Sequence, residues 1–228
     1  MTWSRAVVIG ASGGIGSALA AELDKRGCVV VGLSRSGPED RYIDIEDEQS
    51  IARAAERVAA GGAADLVIVA SGALSLGGKG PEKSWAALDA DYLARLFAVN
   101  ATGPALVAKH FLPLLPRQGR SAFAVLGARV GSIGDNRLGG WYGYRASKAA
   151  LVQLVRTLAV ELARNRPDAL CVTLHPGTVA TPLSARFAAG RETFAPDEAA
   201  HHLLAVLDRL TPASSGRHFA WDGAEIAP

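Results

Sequence analysis

The run Ala6-Val7-Val8-Ile9 passes directly into Gly10-Ala11-Ser12-Gly13-Gly14-Ile15-Gly16, and this junction restricts the fold more than any other stretch. Four consecutive apolar residues, three of them β-branched, suit a strand buried on both faces, as in a parallel sheet. Parallel strands need long crossover connections, usually helices, so the chain is expected to alternate strand and helix. The glycines permit a tight turn and a close backbone approach, and Ser17 to Lys25 reads as a helix whose N-terminal amides can receive a pyrophosphate. Strand, glycines and helix stand in the order that a dinucleotide-binding unit requires. The spacing is GxxxGxG through Gly10, Gly14 and Gly16, a variant of the common GxGxxG fingerprint.

The alternation continues along the chain. Cys28 to Leu33 reads as a second strand ending in Ser34-Arg35, about twenty residues beyond the glycines, where an acidic side chain would bind the ribose 2′-hydroxyl of NAD. The acid is missing; Ser34 and the guanidinium fork of Arg35 instead suit the 2′-phosphate of NADP. Tyr42-Ile43-Asp44-Ile45 is expected as a short third strand, with Asp44 able to accept a hydrogen bond from the adenine amino group, followed by a helix from Gln49 to Ala60. Leu66 to Ala70 reads as a fourth buried strand running into Ser71-Gly72, small residues against which a cofactor can lie. Ser84 to Val99 is expected as a helix closing on Asn100, and Thr102 to Leu115 as another, with Pro104 near its start and Pro113 and Pro116 near its end.

Ala122 to Leu126 is the fifth strand, and Gly127 to Gly140 is glycine-rich. The helix that follows, to about Asn165, carries Tyr144 and Lys148. Residues four apart share one face of a helix, and a neighbouring cation favours the phenolate, so this pair could act as a tuned acid or base. Leu170 to Leu174 is the sixth strand, leading into His175-Pro176-Gly177-Thr178-Val179-Ala180-Thr181-Pro182, with Ser184 to Gly190 as a flap. Asp197 to Leu210 is read as a helix and Arg217 to Trp221 as the last strand. His110, His201 and His202 have no acid or cysteine pattern around them that suggests a metal, and His175 is read as core packing at the pocket edge.

A chain of 228 residues suits one α/β domain. With 49% apolar residues, 20% charged and a net charge of only +2, it is neither disordered nor a basic nucleic-acid binder, so the expected partner is a small molecule. Cys28 and Cys171 lie in apolar runs as isolated, reduced thiols, which fits a cytoplasmic protein, and no membrane segment or charged leader is read.

Five motifs in the right order carry a resemblance over essentially the whole length: Gly10-x-x-x-Gly14-x-Gly16, Asp44-Ile45, Asn100, Tyr144-x-x-x-Lys148, and Pro176-Gly177 with Thr181. In them the chain resembles the short-chain dehydrogenase/reductase family. The run Gly139 to Lys148 and the ending Trp221-Asp222-Gly223 look closest to its C-factor-like (CsgA- or sniffer-like) branch. The resemblance implies a doubly wound Rossmann domain of about seven parallel strands and hydride transfer between NADP(H) and a carbonyl or alcohol. It implies that Tyr144 is the proton donor or acceptor, that Lys148 binds the nicotinamide ribose and lowers the tyrosine pKa, that Asn100 holds a relay water by bending its helix, and that Thr181 meets the carboxamide. It also implies a homodimer or homotetramer through the helices Thr102–Leu115 and Tyr142–Asn165.

Two departures stand out. Val69-Ala70-Ser71-Gly72 replaces the family's Asn-Asn-Ala-Gly. The serine that the family places at the end of the fifth strand, to hydrogen-bond the substrate carbonyl, falls on Ala128 or on Gly127, and neither has a hydroxyl. Ser132 stands near the family's usual interval before the tyrosine and is the candidate replacement. An active reductase is therefore expected, with a catalytically weak NADP(H)-binding regulatory or signalling protein as the alternative. Trp141, Tyr142, Leu183 and Phe187 hint at a partly apolar pocket.

Overall fold

Short β-branched runs separated by helical segments produce one parallel sheet. A computed structural model describes residues 3–184, 190 and 193–228. Six strands, β1 (Arg5–Ile9), β2 (Val29–Leu33), β3 (Leu66–Val69), β4 (Ser121–Leu126), β5 (Ala169–His175) and β6 (His218–Ala220), lie in the order β2-β1-β3-β4-β5-β6 with every pairing parallel. Alternate residues of each strand feed two cores. Val7, Ile9, Val67, Val69, Phe123, Val125 and Cys171 point to one layer, packed against helices α2 (Glu48–Ala60), α4 (Gly103–Phe111) and α5 (Tyr142–Leu162). Ala6, Val8, Leu66, Ile68, Ala124, Leu170, Val172 and Leu174 point to the other, against α1 (Gly14–Lys25) and α6 (Pro196–Arg209). This is a Rossmann-like α/β domain, and among the described residues no helix is long and apolar enough to cross a membrane.

The expected strand at Tyr42–Ile45 is reduced to one parallel bridge between Ser34 and Tyr42, which leaves six strands where about seven were anticipated. The chain leaves the sheet because its next amides have other acceptors. Asp44 N–H bonds Ser50 Oγ at 2.9 Å, Glu46 N–H bonds the Asp44 carboxylate at 3.0 Å, and Asp47 N–H bonds the Asp44 carbonyl at 3.2 Å.

The expected helix from Ser84 to Val99 is also interrupted. A single 3-10 turn at Trp85–Ala87 ends at an extended Leu88, and α3 (Ala90–Phe97) begins only after Asp89, whose carboxylate accepts the N–H of Tyr92 at 2.8 Å. α3 then passes through a π-helical turn, Ala98–Thr102, into α4 without leaving the helical path. The flap expected at Ser184 to Gly190 falls largely, and Phe187 wholly, outside the described residues.

β1 connects to β2 on one side, and its other neighbour in the sheet is β3. The strand order therefore reverses beside β1, which in an open parallel sheet is where a ligand crevice forms at the carboxyl ends of the strands.

Candidate active site

That crevice is a continuous groove made of three adjoining cavities. Gly10, Ser12, Gly13, Ser34, Arg35 and the Ala70-Ser71-Gly72 segment line its first part. The middle part adds Gly14, Ile15, Gly16, Tyr144 and Lys148. The third part, a cavity of about 430 Å³, is walled by Gly127, Ala128, His175, Trp141 and Leu138 among others and again includes Tyr144. Pro176 and Thr181 border both the second and third parts.

The first part is shaped by glycines that leave no space for side chains. Gly10 has φ +90°, and a Cβ there would stand 2.9 Å from Ser71 Oγ and 3.0 Å from the Ala70 carbonyl carbon. A Cβ on Gly16 would come within 2.1 Å of the Gly10 carbonyl oxygen, so the loop closes on the start of α1 only with glycine at that position. A Cβ on Gly14 would meet Thr181 at 2.8 Å. The N-cap of α1 is Gly13, no side chain caps it, and its first turn contains no acid. The amides at that end of the helix and its positive dipole therefore face the groove uncommitted, as a bound diphosphate requires.

Ser34 is buried and Arg35 is exposed, with Arg35 Nη1 3.5 Å from Glu46 Oε1. Arg95 and Glu46 line this end too, and nothing in the sequence pattern had marked either. Ile45 is in the wall, but Asp44 is not among the residues that form it. One oxygen of the Asp44 carboxylate, from which an adenine contact was expected, accepts the Glu46 N–H at 3.0 Å and closes a turn.

Tyr144 and Lys148 lie one turn apart on α5. The start of that helix is fixed by Glu82, a buried carboxylate that accepts the Gly143 N–H through both oxygens at 3.3 and 3.2 Å. A carboxylate at a helix N-terminus is favoured by the dipole, and this one sits a single residue from Tyr144. Trp141, just before the helix, has φ +56° and meets the Tyr144 ring edge-on, with centroids 6.2 Å apart.

Lys148 Nζ donates to the Leu126 carbonyl at 2.8 Å. Desolvation lowers the Lys148 pKa to about 8 and raises that of Tyr144 to about 12. Against the expectation that the lysine depresses the tyrosine, burial pushes the phenol up, and the Lys148 ammonium is turned toward β4.

Asn100 is fully buried in the π-helical turn. Its amide group bonds both the N–H and the carbonyl of Ala73, each at 2.8 Å, and donates to Ser147 Oγ at 3.1 Å. It therefore ties the loop after β3 to α5, and the helix distortion expected at this residue is present.

Ser132 departs from expectation. It is 2% exposed, its Oγ accepts the Asp135 N–H at 3.1 Å, and it lines a separate small cavity with Tyr142 and Ala146 rather than the one shared by Tyr144. After the 3-10 turn at Arg129–Gly131, Ser132 faces the side of α5 that carries Tyr142, Ala146 and Ala149. The hydroxyl missing from Gly127 and Ala128 is not restored there.

The loop after β5 holds the remaining expected residues. Pro176 and Thr181 edge the groove, Gly177 has φ +78° with Phe194 packed where a Cβ would project, and Val179 is buried against Phe194. His175, read from the sequence as packing, lines the third cavity with Nδ1 enclosed and unpartnered, and desolvation lowers its pKa to about 4. The single hint available in sequence was its place immediately before Pro176-Gly177.

Comparison with known proteins agrees with this architecture. The family model for short chain dehydrogenases matches residues 4–192. A 1-hydroxy-2-glutathionyl-2-methyl-3-butene dehydrogenase from Rhodococcus sp. (strain AD45) is 32% identical over 230 residues, covering 96% of this chain and 97% of the relative. The C-signal protein of Myxococcus xanthus is 39% identical over 146 residues, covering 62% of this chain and 84% of its own. Among solved structures, an NADPH-bound carbonyl reductase from chicken fatty liver shares the fold with a TM-score of 0.85 at 23% identity, covering 100% of both chains.

Proposed function

The chain belongs to the short-chain dehydrogenase family, and from that premise we propose that it is an oxidoreductase transferring a hydride between NADP(H) and a carbonyl or alcohol substrate, with Tyr144 as the general acid and base. The observation that carries this reading is the position of Tyr144 in the wall of two adjoining cavities, one bounded by the glycine loop and Lys148, the other by the loops after β4 and β5.

The uncapped start of α1 and the glycines that exclude any Cβ support the dinucleotide's fit. Gly10, Ser12, Gly13, Gly14, Ile15 and Gly16 would hold its diphosphate, Ser34 and Arg35 the 2′-phosphate, Ile45 and Ala70 to Gly72 the adenosine side, and Pro176, Gly177, Val179 and Thr181 the nicotinamide side. When bound, the cofactor supplies or receives the hydride. In the reducing direction Tyr144 gives its phenolic proton to the substrate oxygen, and in the oxidising direction it takes one. Lys148 is the nearest cation on the same helix face, and Asn100 braces both elements. The buried thiols of Cys28 and Cys171 support a cytoplasmic setting, and the half-exposed Val160 on α5 supports a homodimer or homotetramer through α4 and α5.

Purified protein with NADPH and a panel of aldehydes and ketones should show turnover, and Tyr144→Phe should lower it by about a thousandfold, within the range expected for a lost general acid. Absence of any Tyr144-dependent turnover would overturn the reading. A second reading, a cofactor-binding signalling protein of low activity, is favoured by the absence of a hydroxyl at Gly127 and Ala128. Tight NADPH binding without turnover would support it.

A further inference from the structure

We propose that His175 supplies the hydrogen bond to the substrate carbonyl that the residues at the end of β4 cannot make. This rests on the oxidoreductase reading above.

Gly127 N–H bonds the Leu174 carbonyl at 2.8 Å, and Leu126 is in register with Leu174, so Gly127 and His175 are neighbours across the carboxyl ends of β4 and β5. Leu126 and Leu174 point into the core beneath α1 and α6. Strand alternation therefore turns residues 127 and 175 toward the face covered by α5, which carries Tyr144 and Lys148. The imidazole shares a cavity wall with Tyr144, Gly127 and Ala128.

The other polar groups of that wall are largely committed. Arg145 donates to the carbonyls of Gly140 and Val130, Arg129 pairs with Asp135 at 3.1 Å, and Ser184 Oγ donates to the Val179 carbonyl. His175 is the imidazole of this wall that stands beside Gly127 across the strand ends, with Thr178 beyond the Pro-Gly turn as its rival.

The ring's chemistry suits the role. Burial holds it neutral, so it has one N–H to give. Its Nδ1 is enclosed without a partner, and an enclosed N–H with no acceptor is the more strongly avoided arrangement, which places the proton on Nε2. As the hydride from the reduced nicotinamide adds to the carbonyl carbon, the C=O π pair moves to oxygen. That oxygen takes its proton from Tyr144, while His175 stabilises the developing charge and keeps its own proton.

A second histidine crowds position 127. His218, opposite Thr173 in the sheet and 2% exposed, has its Nε2 3.0 Å from where a Cβ on Gly127 would lie. The His218 ring must give way before any side chain fits at 127, so the hydroxyl is restored at Ala128 in the test below.

The test compares turnover of a ketone such as acetophenone, with NADPH, in the wild-type protein and three variants. His175→Ala should lose about a hundredfold in kcat, as for one oxyanion donor. Adding Ala128→Ser to that variant should restore tenfold or more, whereas Thr178→Val should leave the rate within twofold. Unchanged turnover in His175→Ala, or a larger loss in Thr178→Val, would overturn the assignment. An independent readout needs no cofactor: in ¹⁵N-histidine-labelled protein the His175 signals, identified by their loss in His175→Ala, should report a neutral ring protonated on Nε2 that shifts when acetophenone is added. Protonation on Nδ1, or no shift at saturation, would reject the inference. If wild-type protein shows no turnover, the oxidoreductase reading fails, and the nitrogen spectra still decide whether His175 meets a carbonyl oxygen.

Discussion

At the carboxyl ends of β1 and β3 the groove is made of backbone, whereas at the ends of β4 and β5 it is made of side chains. The first end works through absence: Gly10, Gly14 and Gly16 sit where a Cβ would collide with main chain or with Thr181, which leaves the start of α1 bare of side chains. The second end depends on what Tyr144, Lys148 and His175 present to the cavity, with His218 buried behind Gly127, and there burial sets the chemistry. It raises the phenol and lowers the ammonium and both imidazoles. A backbone-built site therefore tolerates almost no substitution, while a side-chain-built site can lose one donor and recruit another from a neighbouring strand.

The sharpest way to break this comparison is to add atoms at each end. Gly16→Ala puts a methyl group 2.1 Å from the Gly10 carbonyl oxygen, where main chain must move, and should destabilise the protein by on the order of 3 kcal/mol, the upper part of the usual overpacking range. Ala128→Ser, whose hydroxyl opens onto the cavity, should change stability by less than about 1 kcal/mol. Thermal unfolding of the two variants side by side checks both. Equal melting temperatures would remove the distinction between the ends.

Lys148→Met probes the burial that dominates the second end. Lowering the pKa from 10.5 to about 8 corresponds to about 3 kcal/mol of desolvation, less about 1 for the lost bond to the Leu126 carbonyl, so the cofactor-free variant should be about 2 kcal/mol more stable at pH 7. The sign follows from linkage. Below pH 8 the lysine is charged in both folded and unfolded chains and the full penalty applies. Between about 8 and 10.5 the folded chain releases the proton while the unfolded chain retains it, so wild-type stability rises with pH and the variant's advantage disappears. Denaturant unfolding at pH 7 and pH 10 measures this, and an advantage independent of pH would mean that packing rather than charge is responsible.

The smallest expected effect is at the outer rim of the first end. Arg35 is largely exposed and already beside Glu46, so Arg35→Ala should weaken NADPH binding only about tenfold, roughly 1.4 kcal/mol, and leave NADH binding unchanged. Titration of cofactor binding separates the two. Equal loss for both cofactors would move phosphate selection away from Arg35.

The same division governs how much could be read before folding was known. The glycine loop, the buried strands and the Tyr144–Lys148 pair are local patterns, set by steric exclusion, β-branching and helical spacing, and each lies where its pattern indicates. The segment Tyr42–Ile45 had the right composition for a strand, but its pairing stops at the Ile43 bond to Ser34 because the Asp44 amide turns to Ser50 and the Glu46 amide to the Asp44 carboxylate, contacts that composition does not encode. Ser132 had a suitable interval from Tyr144, yet after the turn that follows β4 it faces the side of α5 that carries Tyr142, Ala146 and Ala149. Distance along the chain says little about position once a turn intervenes.

By itself the sequence determined the parallel α/β framework, the bare glycine-rich start of the first helix, and the tyrosine and lysine one turn apart on α5, because each is written in residues close together in the chain. Only the tertiary structure decided that the Tyr144 hydroxyl is more weakly acidic than an isolated phenol, that Glu82 anchors its helix, and that His175 and His218 gather behind Gly127. Those features depend on desolvation and on contacts between strands distant in sequence, which exist only after the sheet has closed around them.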